Sequence, residues 1–294
     1  MFGGRAGRST ARLKKWQRVS AVLAVAIVAL VLLATQLPML AAGGLLHPRR
    51  HVLARETPNG CIDASFAGVG VTLEGWRCAA RGVPRATVVY LHGIADNRGS
   101  AAAAIEHFQT RGFDVVAYDS RAHGASGGDS CTYGFFEKQD LHAVIDTLPS
   151  PPVVLIGASL GAAVALQETP DDPRVAVVVA AEVFSDLRTI ARERAPFFLP
   201  ESVIRRGFAL AEREGHFTVD AVSPLQAAAR ITVPVLLVHG ALDTDTVPAH
   251  SQRVFAAIRA PKRLVLVPRA HHNESLNGAI WPEIDAWIED ALRR

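Results

Sequence analysis

From Val19 to Leu46 the chain carries no charged residue, and residues 1–18 carry no acidic one. Cysteine is scarce, with three among 294 residues. No two cysteines stand at metal-ligand spacing and no H-E-x-x-H stretch occurs, so a zinc site built on either pattern is excluded. There are no repeats and no low-complexity tract. Charged residues make up only 20% against 49% hydrophobic ones, which supplies a sizeable core and argues against disorder. The length suits one large α/β domain plus a short appendage.

The formal charge of +3 is unevenly placed. Arg5, Arg8, Arg12, Lys14, Lys15 and Arg18 put +6 on the first 18 residues, leaving 25 basic against 28 acidic residues in the rest. The body is mildly acidic and gives no support for a nucleic-acid partner. The uncharged run is long enough to cross a bilayer, which takes about 20 apolar residues. Upstream positive charges outnumber Arg49, Arg50 and Arg55 downstream, so the positive-inside rule puts the N-terminus in the cytoplasm and the body outside. A cleaved signal peptide is the competing reading, but its apolar region spans about 7–15 residues and ends in small ones. This run is longer, and Ala41-Ala42-Gly43 is a poor cleavage site. The expected organisation is a basic cytoplasmic segment over 1–18, a transmembrane anchor over 19–46, a polar linker over 47–62 and the main domain over 63–294. An exported body permits one disulfide, and Cys61 and Cys78 are the nearest pair. Connectivity is not readable from sequence, so unpaired structural thiols are expected for Cys61, Cys78 and Cys131.

Beyond the linker, strand and helix signals alternate. Strands are predicted at Val71–Trp76, Ala86–Leu91, Phe113–Tyr118, Val153–Ile156, Val175–Val179, Val235–Val238 and Leu264–Val267. Helices are predicted at Asn97–Thr110, Glu137–Leu148, Leu160–Gln167, near Ser251–Arg259 and near Asn277–Leu292. Residues 119–131 are rich in Gly, Ser and Asp and read as a loop. Continuous apolar strands between helices predict a mostly parallel sheet covered on both faces. The charged, helical stretch 185–222, interrupted by Pro196 and Pro200, sits outside that pattern as a short lid. Its Phe197-Phe198-Leu199 patch is expected to pack into the lid core, with lipid contact as the other reading.

Gly157-Ala-Ser159-Leu-Gly161 matches G-x-S-x-G. The pattern alone is weak, but it follows an apolar strand and opens a helix, as a nucleophile elbow requires. The elbow lifts the Ser159 hydroxyl clear of the sheet and turns the Leu160 N–H toward a developing oxyanion. Such a hydroxyl needs a base and an orienting acid, following in the order Ser, acid, His. Asp243 and Asp245 come just after Val235–Val238, at a strand's carboxyl end, where catalytic groups of open parallel sheets gather. His271 and His272 follow the last predicted strand and are the two candidates for the base. A helix N-cap is the plain alternative for Ser159, and loop support is the expectation for His92 and His123.

Together these segments resemble the α/β-hydrolase family, in particular its small-cap, often membrane-anchored members of the serine-aminopeptidase-like or esterase-like group. The resemblance spans about residues 65–292. Leu91-His-Gly-Ile94-Ala-Asp-Asn97 resembles the family's H-G-x-x-x-N segment, which implies an oxyanion N–H from Ile94. Residues 118–128 resemble its D-x-R-G-H-G-x-S-G loop, with Ala122 where Gly is usual. His239-Gly-Ala-Leu-Asp243 is similar to H-G-x-x-D and selects Asp243. Ala270-His-His272-Asn273 is similar to G-H-N and selects His272. The implied reaction is acyl transfer to water through an acyl-enzyme on Ser159, with Asp243 and His272 completing the triad and no metal or organic cofactor. A carboxylesterase acting on a small or lipid-like ester is expected. A thioesterase or serine peptidase with the same triad is the alternative, and a catalytically dead, membrane-tethered binding protein the alternative from another class. Glu182, Asp186, Glu193 and Glu201 are the acids available to hold a substrate amine in a peptidase.

Overall fold

The computed structural model describes residues 6–51, 53, 56–149 and 152–294. Arg5 of the basic segment, and Val52, Ala54 and Arg55 of the linker, lie outside the described residues.

The strands are β1 (Cys61–Ala67), β2 (Thr72–Cys78), β3 (Ala86–Leu91), β4 (Phe113–Tyr118), β5 (Val153–Ala158), β6 (Val175–Ala181), β7 (Val235–Gly240) and β8 (Lys262–Val267). They form one sheet in the order β1-β2-β4-β3-β5-β6-β7-β8. β2 is antiparallel to both neighbours, and the remaining pairs are parallel. Side chains alternate between two cores. Val89, Leu91 and Leu155 share one with helices α3 (Glu137–Asp146) and α4 (Leu160–Glu168). Val88, Tyr90 and Ile156 share the other with α2 (Ala102–Gln109) and α9 (Trp281–Leu292). A strand covered on both faces has no polar side to display, which is why these runs read as continuously apolar.

Two elements depart from the sequence reading. β1 begins inside the segment read as a linker. It is an edge strand with one fully buried side chain, Phe66, so its pattern carries almost no hydrophobic signal. Helix α7 (Pro224–Ala228) is only five residues long, too short to show a period.

Cys61 stands directly opposite Cys78 in the β1–β2 register, and the two are joined in a disulfide. The expectation of unpaired thiols is corrected for this pair, because a partner across a hairpin is set by register, which spacing does not reveal. Cys131 is a free, buried thiol. The bridge closes a loop with a sequence separation of 17. Its loss constrains the unfolded chain less and costs about 3 kcal/mol. We expect the Cys61→Ser/Cys78→Ser variant to melt on the order of 6–12 °C lower in a calorimetric scan. Equal melting temperatures would show that the bridge does not stabilise the fold.

Helix α1 (Ala6–Leu46) has 41 residues and is about 60 Å long at 1.5 Å per residue. Val22, Leu23, Val25, Ile27 and Leu30 stand exposed along it. Among the described residues it is the one helix long and apolar enough to cross a bilayer. Its last turns differ, because Ala42 and Leu46 are buried against the body. The Tyr133 hydroxyl donates to the Leu45 carbonyl at 2.9 Å and the Cys131 amide to the Leu46 carbonyl at 2.8 Å. These bonds satisfy carbonyls that a helix end leaves unpaired. His47 follows, with ring nitrogens 2.7 Å from the Asp129 carbonyl and 2.7 Å from Glu214. The Asp129 carbonyl and then the Glu214 carboxylate favour its charged form and raise its pKa.

Helices α5 (Leu187–Arg194) and α6 (Glu201–Gly215) occupy the stretch read as a lid. Asp186 caps α5, its carboxylate accepting the Thr189 N–H at 2.8 Å. Between Pro196 and Pro200 the chain is neither helix nor strand, and it turns the aromatic tip outward. Phe197 is 100% exposed and Phe198 70% exposed, which corrects the expectation that they pack into the lid core.

Candidate active site

The parallel strands β3, β5, β6, β7 and β8 end along one edge of the sheet. The residues just past those ends include Ile94, Ser159, Glu182, Asp243 and His272. Ligand-handling groups gather at this edge in open α/β sheets.

Ser159 joins β5 to α4 with φ +49 and ψ −107, a conformation costly for a side-chain-bearing residue. Both flanks hold it there. Its amide donates to the Ala181 carbonyl at 2.8 Å, and its carbonyl accepts the Ala163 N–H at 3.1 Å. The flanking glycines are a steric requirement. A Cβ on Gly157 would lie 2.4 Å from the Gly161 backbone, and one on Gly161 would lie 2.1 Å from the Leu91 carbonyl oxygen.

His272 Nε2 lies 3.0 Å from Ser159 Oγ, and its Nδ1 lies 2.7 Å from Asp243 Oδ2. An ionised carboxylate only accepts, so Nδ1 carries the proton and Nε2 turns its lone pair to the hydroxyl. The other Asp243 oxygen accepts the amides of Asp245 and Thr246, both at 2.9 Å. Burial alone would raise the Asp243 pKa. Hydrogen bonding from His239 and His272 and from the Thr246 amide outweighs it and holds the carboxyl well below the usual carboxylate range. His239 is itself fixed, 2.6 Å from the Thr246 carbonyl and 2.7 Å from Ser251 Oγ.

The alternatives fall elsewhere. The Asp245 side chain makes no hydrogen bond to either histidine among the described residues. His271 is exposed, and its amide donates to Glu274 at 2.8 Å. Ile94 and Ser159 line the same cleft, of about 710 Å³. Leu160 is the first residue of α4. Neither the Ile94 nor the Leu160 amide has a hydrogen-bond partner among the described residues, which leaves both available to an oxyanion.

His92 and His123 support loops. His92 Nε2 accepts the Ser120 N–H at 2.9 Å while Nδ1 donates to the Gly93 carbonyl at 2.7 Å. Burial lowers the pKa of both, with His123 brought to about 4. That loop also holds the buried Arg98–Asp119 pair at 2.6 Å and the Arg121–Asp140 pair at 2.7 Å. Ala122, where the resembling loop has Gly, adopts φ +60. A Cβ in this region costs about 1 kcal/mol, so Ala122→Gly is expected to raise the melting temperature by a few degrees. A lowered one would show that the buried methyl outweighs the strain.

Glu182 has a role that its type and position do not reveal. It is 1% exposed, accepts the amides of Asn273 and Ser275, and lies 3.8 Å from His272 Nδ1. It therefore braces the loop that presents His272 and is unavailable to a substrate amine. The other acids raised for that purpose are also engaged, Glu193 with His250 at 2.7 Å and Glu201 with Arg192 at 2.5 Å. Asp243, Glu182 and His272 lie close enough to hold a cation, as do His142, Glu168 and Asp172. The first set is already joined to Ser159, Asn273 and Ser275, and Arg174 neutralises Asp172 in the second at 2.7 Å.

Comparison with known proteins agrees with this architecture. Residues 82–199 match the family described as serine aminopeptidase, S33, and residues 148–284 match the prolyl oligopeptidase family. The chain is 28% identical over 244 residues to the Bacillus subtilis protein YqkD, covering 75% of this chain and 79% of that one. It is 29% identical over 234 residues to Rv2307c of Mycobacterium tuberculosis, covering 76% and 75%. The solved esterase Pf2001 of Pyrococcus furiosus superposes with a TM-score of 0.67 at 26% identity, covering 85% of this chain and 98% of that chain. Est1E of Butyrivibrio proteoclasticus, solved with ferulic acid bound, shares the fold at a TM-score of 0.65 and 16% identity, covering 79% and 100%. The chain has the α/β-hydrolase fold, and both matching family models are of hydrolases with it. It is a hydrolase.

Proposed function

We propose that the chain is a serine carboxylic ester hydrolase that works through an acyl-enzyme on Ser159. The observation that carries this reading is the unbroken relay from Ser159 Oγ through His272 to Asp243, at 3.0 and 2.7 Å. His272 Nε2 takes the hydroxyl proton as Ser159 Oγ bonds to the substrate carbonyl carbon. Asp243 holds the imidazole tautomer and stabilises the imidazolium. The N–H groups of Ile94 and Leu160 receive the oxyanion. His272 then returns the proton to the leaving alcohol as the C–O bond breaks. Water, deprotonated by the same nitrogen, releases the acid and restores Ser159. An ester is favoured over a peptide because the solved neighbour Pf2001 is an esterase. Of the two acids lining the cleft, Glu193 is engaged by His250, while the Asp245 carboxylate makes no ion pair among the described residues.

The same reading places the body outside a membrane with α1 as an uncleaved anchor. The uncharged run supports an anchor, the basic residues before it support the orientation, and a disulfide suits an oxidising compartment. Burial of Ala42 argues against cleavage at Ala41-Ala42-Gly43, since cleavage there would strip side chains from the body's packing. Recovery of the full-length protein in the soluble fraction without detergent would overturn the anchor. A fluorophosphonate probe tests the chemistry. We expect wild-type protein to be labelled and Ser159→Ala to lose all labelling. A folded wild type that resists the probe, or a labelled Ser159→Ala, would overturn the nucleophile.

A further inference from the structure

A second cavity, of about 410 Å³, lies between the end of α1 and the helices α5 and α6. Small-molecule sites span about 300–1,000 Å³. Ala41, Gly44 and Leu45 line it from α1, and Ile190, Leu199 and Phe208 from the opposite side. Among the described residues that line it, Tyr133 and Arg194 alone have polar side chains, and the Tyr133 hydroxyl is committed to the Leu45 carbonyl. Ile94 and Arg194 line both this cavity and the Ser159 cleft, so the two meet beside the amide assigned to the oxyanion. Arg194 is fixed at the junction, donating to the Asp245 carbonyl at 3.1 Å and to Thr246 Oγ1 at 2.9 Å.

An apolar chamber opening beside a serine nucleophile suits the hydrocarbon part of an acyl group. Its position indicates where that group comes from. Met39 and Leu40, directly before the lining residues, are 59% and 65% exposed and continue the apolar surface of α1. Phe197 and Phe198 project from the segment that supplies Pro196 and Leu199 to the wall. Arg206 and Arg213 lie beside Thr35, Pro38 and Met39 and make no ion pair among the described residues. Basic side chains at the end of an apolar span are placed for lipid phosphates.

We propose that this cavity is the acyl-chain site for a single-chain acyl ester drawn from the bilayer, and that α1 is one of its walls as well as an anchor. The inference rests on Ser159 being the residue that is acylated. The acyl carbon bonds to Ser159 Oγ, the alcohol leaves with the proton from His272, and the chain lies between α1 and α6 until water releases it.

The test uses full-length protein in phosphatidylcholine nanodiscs, with p-nitrophenyl acetate and p-nitrophenyl decanoate. Each methylene buried in an apolar site adds up to about fourfold in binding. The wild type should therefore favour decanoate by at least about tenfold in kcat/KM. A Cβ at Gly44 meets nothing within 4 Å, so a larger residue there grows into open space. Replacing glycine also favours a helix. Gly44→Leu should lower the decanoate-to-acetate ratio at least tenfold. Ala191→Phe, filling the cavity from α5, should do the same and decides the matter if Gly44→Leu does not fold. Ratios within twofold of wild type in both variants would overturn the acyl-chain site and leave Ser159 standing. Failure of the wild type to hydrolyse either ester, or to label with fluorophosphonate, would overturn the reading of Ser159 itself. Monooleoylglycerol embedded in the same nanodiscs tests the route. Phe197→Ser/Phe198→Ser should slow its hydrolysis at least fivefold, and an equal rate would overturn entry from the bilayer.

Discussion

Asp243→Asn is expected to lower kcat for ester hydrolysis by about 10³–10⁴-fold with little change in KM. The amide can still meet His272, but its NH₂ group turns a donor toward Nδ1. The imidazole would then carry its proton on Nε2, where it faces Ser159 as a donor instead of a base. The imidazolium formed during attack would also lose its counter-charge. Asp245→Asn serves as the comparison, since that side chain does not reach either histidine, and a change of less than about fivefold is expected. Equal effects of the two substitutions, measured by single-turnover kinetics, would remove Asp243 from the relay.

The same carboxylate predicts the form of the pH profile. Its folded-state pKa lies below the unfolded value of about 3.9, so the ionised form favours folding. That stabilisation is complete above the unfolded value and is lost only as pH falls through the depressed one. Asp243 therefore stays ionised through the neutral and mildly acidic range and adds no proton to the acid limb of the activity profile. The acid limb of kcat/KM should follow one proton, and stability should hold where activity has already fallen. A two-proton limb, or unfolding that tracks the activity loss, would contradict this.

Gly161→Ala is expected to damage both fold and chemistry. The added methyl would lie 2.1 Å from the Leu91 carbonyl oxygen, and backbone bounds it there, so no flexible side chain can yield. Either α4 or the end of β3 must move. The cost is about 3 kcal/mol or more. The displaced elements carry Ser159 and Leu160 on one side and the approach to Ile94 on the other. A shift of about 1 Å in such groups costs on the order of 10²-fold in rate. Calorimetry and ester turnover measure the two losses separately, and an Ala variant that melts and turns over like wild type would refute the steric account.

The parallel sheet was readable because doubly covered strands leave long apolar runs, and Ser159, Asp243 and His272 because each follows such a run. Periodicity could not choose between His271 and His272, since both flank the same turn. The choice came from the H-N ending, and the geometry then put only His272 beside Ser159 and Asp243. Glu182 also follows an apolar strand, so strand-end placement could have marked it. Its bracing role depends on amides about 90 residues away, at Asn273 and Ser275, which no local pattern encodes. β1 reads in part as linker, and the sequence leaves the pairing of Cys61 with Cys78 open, for a related reason. An edge strand buries little, and a cross-strand partner is chosen by pairing. The outward tip at Phe197 and Phe198 reversed an expectation drawn from hydrophobicity alone, because those residues lie on a turn between α5 and α6 and are not on the buried face of either helix.

The junction at Leu46 has a mechanical consequence. The Leu45 and Leu46 carbonyls are held by Tyr133 and Cys131, and His47 is held by Asp129 and Glu214. No slack separates α1 from the body, so the body cannot swivel on its stalk. In the anchored arrangement proposed above, tumbling would reduce to rotation about the helix axis. The mouth then keeps a constant height and tilt over the surface. Encounter with substrate becomes a search in two dimensions, governed by lateral diffusion and surface density rather than by concentration in the surrounding water.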